Sequence, residues 1–234
     1  MAVRDGEEST TVMDDYETLI STTDVELLKK AWRNEKGAPE ILQFEDALVK
    51  RIQEQIQLME ENVEEFTQIG IDPLTVSLYH MDLDRTQFLL RSYLRIRLLK
   101  IENYMFHIIK TDYLWARLSE PEKAYAKRCT DAMDIHLQSS VLTKLPENYQ
   151  SILKQSLISE EDDMVPKPHL NMFVVGKGKT YLPARIEPKG FQDTHTDDDR
   201  KPDDREFEVE RGDLFFARYK VIMDEVIKGD IDLI

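Results

Sequence analysis

Leu89-Leu90-Arg91-Ser92-Tyr93-Leu94-Arg95-Ile96-Arg97-Leu98-Leu99-Lys100-Ile101-Glu102 is the stretch whose reading decides the fold. It lies in a helical pattern running from about Pro73 to about Lys110, with no Gly or Pro after the first residue. At about 100° per residue, Leu83, Leu90, Leu94, Leu98, Ile101, Met105 and Ile108 share one face, and Leu89, Ile96, Leu99 and Phe106 fall roughly opposite. A surface helix of a lone domain carries one apolar stripe. This one has two, with Arg91, Arg95, Arg97 and Lys100 threaded between them. Either the helix is buried on both sides within its own domain, or one face packs inside the subunit and the other meets a partner chain.

Upstream, Asp24 is placed to cap a first helix carrying Val25, Leu27, Leu28, Ala31 and Trp32, which stops near Gly37 with Pro39 beyond. A second helix is expected from about Phe44 to Phe66, with Leu48, Ile52, Ile56, Met59 and Val63 at helical spacing. Its other face is acidic, with Glu54, Glu60, Glu61, Glu64 and Glu65, and could take the basic residues of the central helix. Gly70, Asp72 and Pro73 make the turn between them. Downstream, Ser119-Glu120-Pro121-Glu122 is a capping box opening a helix to about Lys144. Tyr149, Ile152 and Leu153 suggest a further helical segment.

The composition then changes. Residues 158–165 form an acidic linker, and Val165-Pro166-Lys167-Pro168 favours extended chain. Strands are expected at Met172–Gly176, around Tyr181–Ile186, at Phe207–Glu210 and at Ile231–Ile234, with a helix over Leu214–Ile227. The fold expected is therefore mainly α with a small β-rich C-terminal domain: an acidic tail (1–22), a helical domain (23–157), the linker and a β-rich domain (166–234). Residues 1–22 read as a flexible tail. Within it Asp14, Asp15, Tyr16, Leu19 and Ile20 have the make-up of a short docking peptide.

The 234 residues carry a formal charge of −15, and 41% are hydrophobic, enough for a folded core. The acidic balance argues against strong intrinsic DNA binding, which needs clustered Lys and Arg. One cysteine, Cys129, excludes an internal disulfide framework and a multi-cysteine zinc site. Neither a secretory leader nor a membrane-length apolar run is evident, so a soluble intracellular protein is expected. Gly178-Lys179-Thr180 imitates the end of a P-loop, but Phe173 stands where the first glycine is needed. A calcium loop from Asp193 would need Gly and Glu where Asp198 and Asp204 stand. The five histidines lie far apart. No catalytic residue, cofactor or metal is expected, and nothing requires an enzyme.

Four stretches, taken together and in order, resemble a known family. They are Ala31-Trp32-Arg33-Asn34-Glu35-Lys36 with Ala38-Pro39-Glu40; Met59-Glu60-Glu61-Asn62; Ser92 to Glu102; and Val165-Pro166-Lys167-Pro168. The short apolar end, Leu233-Ile234, adds to them. The chain resembles the GINS family of eukaryotic DNA replication, within it the Sld-five type. The resemblance implies a helical A-domain followed by a β-rich B-domain, no catalysis, a nuclear location, and a heterotetramer with three Psf subunits. It further implies that the assembly joins the Mcm helicase hexamer and Cdc-forty-five to form the active replicative helicase; a separate reading has the tail around Asp14–Ile20 dock on a replisome hub. On this reading Tyr93, Leu94, Arg95, Ile96, Arg97, Leu98 and Leu99 belong to a subunit interface. Phe173, Val174, Val209, Ile231, Leu233 and Ile234 dock the B-domain against the core of the complex. The rivals are an acidic helical adaptor of another obligate complex, and a metal-dependent enzyme using Asp197 to Asp204.

Overall fold

The computed structural model describes residues 23–156, 158–159, 162–186 and 206–234. The acidic tail and most of the loop 187–206, with the readings placed on them, lie outside the described residues. Helices α1 (Asp24–Gly37), α2 (Asp46–Ile69) and α3 (Pro73–Lys110) come first, then α4 (Asp112–Ala116) and α5 (Glu120–Ser140). After two 3-10 turns come β1 (Phe173–Gly178), β2 (Leu182–Ile186), β3 (Glu206–Val209), β4 (Leu214–Arg218), α6 (Tyr219–Lys228) and β5 (Ile231–Leu233). No described helix is long and apolar enough to cross a membrane.

The helices begin and end for local reasons. Thr23, not Asp24, caps α1, its hydroxyl accepting from Glu26 N at 3.4 Å. Asp24 is engaged instead by Arg51, with Nη2 at 2.8 Å. Gly70 closes α2 at φ 77°, where a side chain would be strained. The box at Ser119 forms as its sequence predicts: Glu122 Oε2 accepts from Ser119 N at 2.8 Å and from its hydroxyl at 2.9 Å.

Four further expectations change. The central helix is broken at Tyr104 (φ −123°, ψ 18°), with no Gly or Pro to announce it. The helix after Ser119 stops at Ser140, leaving only a 3-10 turn before Lys144. The segment near Tyr149 is a second 3-10 turn, Glu147–Tyr149. Residues 214–218, expected as helix, are strand β4, because Leu214, Phe216 and Arg218 alternate with the inward Ala217 and pair with β1. Spacing of three and four cannot distinguish these from helix in so short an apolar run.

The chain divides into two compact units. Among the described residues, one holds 23–32 and 45–95. Its buried apolar side chains include Leu28, Ile52, Val63, Leu83, Leu90 and Tyr93. Trp32 Nε1 donates to Ser92 Oγ at 2.9 Å, and Phe66 meets Tyr79 with ring centroids 5.2 Å apart. Arg91 reaches Gln87, which donates to Glu60 at 2.7 Å. The acidic face of α2 therefore takes a neutral bridge here.

The other unit holds Arg33–Phe44 and the described residues from Ile96 on. Its antiparallel sheet has the order β4-β1-β5, and β2 pairs with β3 separately. The sheet's inner face (Val174, Ala217, Ile231, Leu233), with Val209, closes over Tyr219, Ile222, Val226 and Ala38. A second cluster gathers Ile41, Ile101, Ile108, Leu114, Leu118 and Ala126. Gly178 ends β1 where a Cβ would meet Val209 Cγ1 at 2.6 Å and Glu210 O at 2.8 Å. The Gly-Lys-Thr stretch is thus a strand end held by close backbone approach.

Candidate functional site

Arg97 is wholly buried. An unpaired guanidinium could not remain there, and every nitrogen finds an acceptor. Nε and Nη2 grip Glu122 at 2.7 and 3.1 Å, the two-pronged arrangement a planar fork permits. Nη1 donates to Glu35 at 3.0 Å and to Leu42 O at 2.8 Å, and Nη2 also reaches Arg117 O at 3.3 Å. Phe44 lies under the guanidinium, 5.2 Å to the ring centroid.

One turn on, Lys100 Nζ donates to Glu35 Oε1 at 2.7 Å and Glu40 O at 2.8 Å. Burial lowers the lysine's pKa, and Glu35 opposes that shift. Arg117 pairs with Glu40 at 3.0 Å. The Tyr219 hydroxyl donates to the same carboxylate at 3.1 Å, and burial with the nearby Glu40 charge holds that phenol neutral well above its usual range. Three cations thus face three carboxylates. Burying such a network costs about as much desolvation as attraction returns. Its effect is geometric: it fastens the end of α1 and the 38–44 connector to α3, the α5 capping box and α6. Leu233 N adds a bond to Asn34 Oδ1 at 2.8 Å, and the Leu233 side chain packs where Gly37 has none.

This placement redistributes the residues expected at an interface. Tyr93 and Arg97 are enclosed by the chain itself, leaving no surface for a partner to touch. Leu94, Ile96 and Leu98 are half-buried, Arg95 is exposed and Leu99 is 56% exposed. In the β-rich part Val174, Val209, Ile231 and Leu233 are core, whereas Phe173 and Ile234 stand exposed. Asp14, Asp15, Tyr16, Leu19 and Ile20 lie outside the described residues. Arg97 and Lys100 meet Glu35, Glu40 and Glu122 rather than the acidic face of α2.

The second face of α3 runs farther than the sequence reading took it, and its first half escaped that reading. Leu74, Leu78, Met81 and Phe88 fall within about 80° of one another on α3, opposite the buried Leu83 and Leu90. All four are more than half exposed. Their spacing (74, 78, 81, 88) was the available signal. It was hidden because the stripe starts fifteen residues before the quoted stretch, as the numbering gives 89 − 74. Among the described residues no group of three or more His, Cys, Asp or Glu is arranged to hold a metal ion.

The family model described as GINS complex protein helical bundle domain matches residues 45–141, and that for the DNA replication complex GINS protein SLD5 C-terminus matches 168–234. The chain is similar to the DNA replication complex GINS protein SLD5 of Arabidopsis thaliana, 58% identical over 220 residues, 94% of this chain and 95% of the relative. It is similar to the protein of that name from Homo sapiens, 31% identical over 216 residues (90% and 88%), and from Dictyostelium discoideum, 27% identical over 213 (88% and 90%). Both models fall on the mainly helical part and the small β-rich end that the four quoted stretches predicted. The chain belongs to the SLD5 family of DNA replication complex GINS proteins.

Proposed function

We propose that the chain is a non-catalytic scaffold subunit of the nuclear GINS heterotetramer. It assembles with three Psf subunits, and through that assembly joins the Mcm hexamer and Cdc-forty-five in the active replicative helicase. The observation that supports the reading is the exposed apolar stripe Leu74, Leu78, Met81 and Phe88, on a helix whose other face is already filled. Four large apolar side chains in line on one helix are what an obligate partner covers. Leu99, exposed farther along the same helix, and the half-buried Leu94, Ile96 and Leu98 belong to the same reading; Arg95 would fix register at its rim. The β-rich end presents Phe173 and Ile234 outward for docking, supported from behind by Val174, Val209, Ile231 and Leu233. The tail residues Asp14 to Ile20 would reach a replisome hub.

Co-expression with the three Psf subunits, followed by mass measurement, tests the reading. A species with one copy of each chain is expected. A wild-type chain that purifies alone as a monomer beside an intact set of partners would refute it.

A further inference from the structure

The three-stranded sheet has two apolar faces, and among the described residues only one is covered. On the bare face β1 presents Phe173, Val175 and Lys177, β4 presents Leu214, Phe216 and Arg218, and β5 adds Asp232, opposite Lys177, with Ile234 following it. Phe173 and Phe216 stack with centroids 4.8 Å apart and planes within 8°. The Arg218 guanidinium sits 5.2 Å from the Phe173 centroid. Antiparallel sheets normally turn polar residues to water on their open side; here Phe216 and Leu214 are each 66% exposed.

The charges at the ends of this patch say what would cover it. Phe173 stands opposite Arg218 and Lys177 opposite Leu214, so the two cations mark the ends of a strip five residues long, about 13 Å from end to end. Arg218 has no carboxylate partner among the described residues. Lys177 has none either, since Asp232 across from it on β5 pairs with Lys179 at 3.4 Å. In a chain of net charge −15, two unpaired cations bracketing an aromatic strip are a local inversion of sign. We propose that this face receives a segment of another GINS subunit that carries apolar anchors between two carboxylates about 13 Å apart. Apolar side chains would lie on Phe216, Leu214 and Val175, and the carboxylates would meet Arg218 and Lys177. The proposal rests on the scaffold reading and names the chemistry of one contact within it.

A photo-crosslinking benzoylphenylalanine in place of Phe216, in the full chain co-expressed with the three partners, reads the occupant by mass spectrometry. A crosslinked peptide from another subunit with an acidic residue on each side of its apolar anchor is expected. In the same assembly Phe216→Asp should weaken retention of that subunit at least tenfold. K177E/R218E should weaken it severalfold, and swapping the crosslinked carboxylates for lysines should restore it. Thermal unfolding of each variant chain alone should match wild type, since these side chains are exposed. A crosslink to residues 187–205 of the same chain, to a segment without carboxylates, or to nothing overturns the proposal while leaving the scaffold reading intact. Failure of the wild-type chain to assemble at all overturns both.

Discussion

Replacing Arg97 by Met keeps most of the side chain's volume and removes its charge and all its donors. Five hydrogen bonds go at once: two to Glu122, one to Glu35, and those to the carbonyls of Leu42 and Arg117. The carboxylates are not left bare. Glu35 keeps Lys100, Glu122 keeps Ser119, and Arg117 O still accepts from Phe44 N at 3.0 Å. Breaking a buried ion pair by deleting one partner costs roughly 3–5 kcal/mol, and these surviving bonds place the substitution near the lower end, about 3 kcal/mol. For a chain of this length 1 kcal/mol shifts the unfolding midpoint by roughly 2–4 °C, so Tm should fall about 6–12 °C. Urea unfolding followed by circular dichroism gives the same quantity from the midpoint. Arg97→Lys should fall between Met and wild type, because a point charge cannot span both carboxylates. The double variant Arg97→Met/Glu122→Gln should cost less than the sum of the singles, since the second change removes the charge the first one stranded. A loss for Arg97→Met below about 1 kcal/mol, or strict additivity of the pair, would refute the claim that the guanidinium holds this unit together.

Three other outcomes are expected. Gly178→Ala should destabilise by roughly 1–3 kcal/mol in the same urea titration, because the added methyl meets a backbone oxygen and Val209. His107 has its pKa lowered by burial and by Lys167, so below about pH 6.5 the unfolded chain takes a proton that the folded chain refuses. Its contribution is complete above that pH and drains away as pH falls toward the folded value; His107→Gln should flatten the stability profile between pH 7 and pH 5, and an unchanged slope would contradict the assignment. Phe88→Asp, at a side chain 64% exposed, should leave the Tm of the chain alone unchanged yet abolish co-purification of at least one partner. Retention of all partners would remove α3's outer stripe from the interface.

The interior order of this chain was legible from local chemistry wherever a local interaction decides it. The central helix, Pro73–Lys110, and the box at Ser119–Glu122 depend on propensity, spacing and bonds within one turn, and both lie where the residues predict. The presence of two apolar faces on the central helix was equally readable, because angle around a helix is fixed by residue number. What the sequence could not decide is which face the chain fills by itself. Arg97 reads as a rung between apolar stripes, yet among the described residues it is the largest of the fully buried side chains. Its acceptors, Glu35 and Glu122, lie 62 and 25 positions away, and no local pattern announces that they converge. The same holds for Leu214–Arg218, helical by spacing and extended by pairing with Phe173–Lys177 across a long connection. Local rules fix which elements form and which surfaces are apolar; only the tertiary arrangement assigns each surface to the chain's own core or to a partner, because burial depends on residues brought together from distant positions.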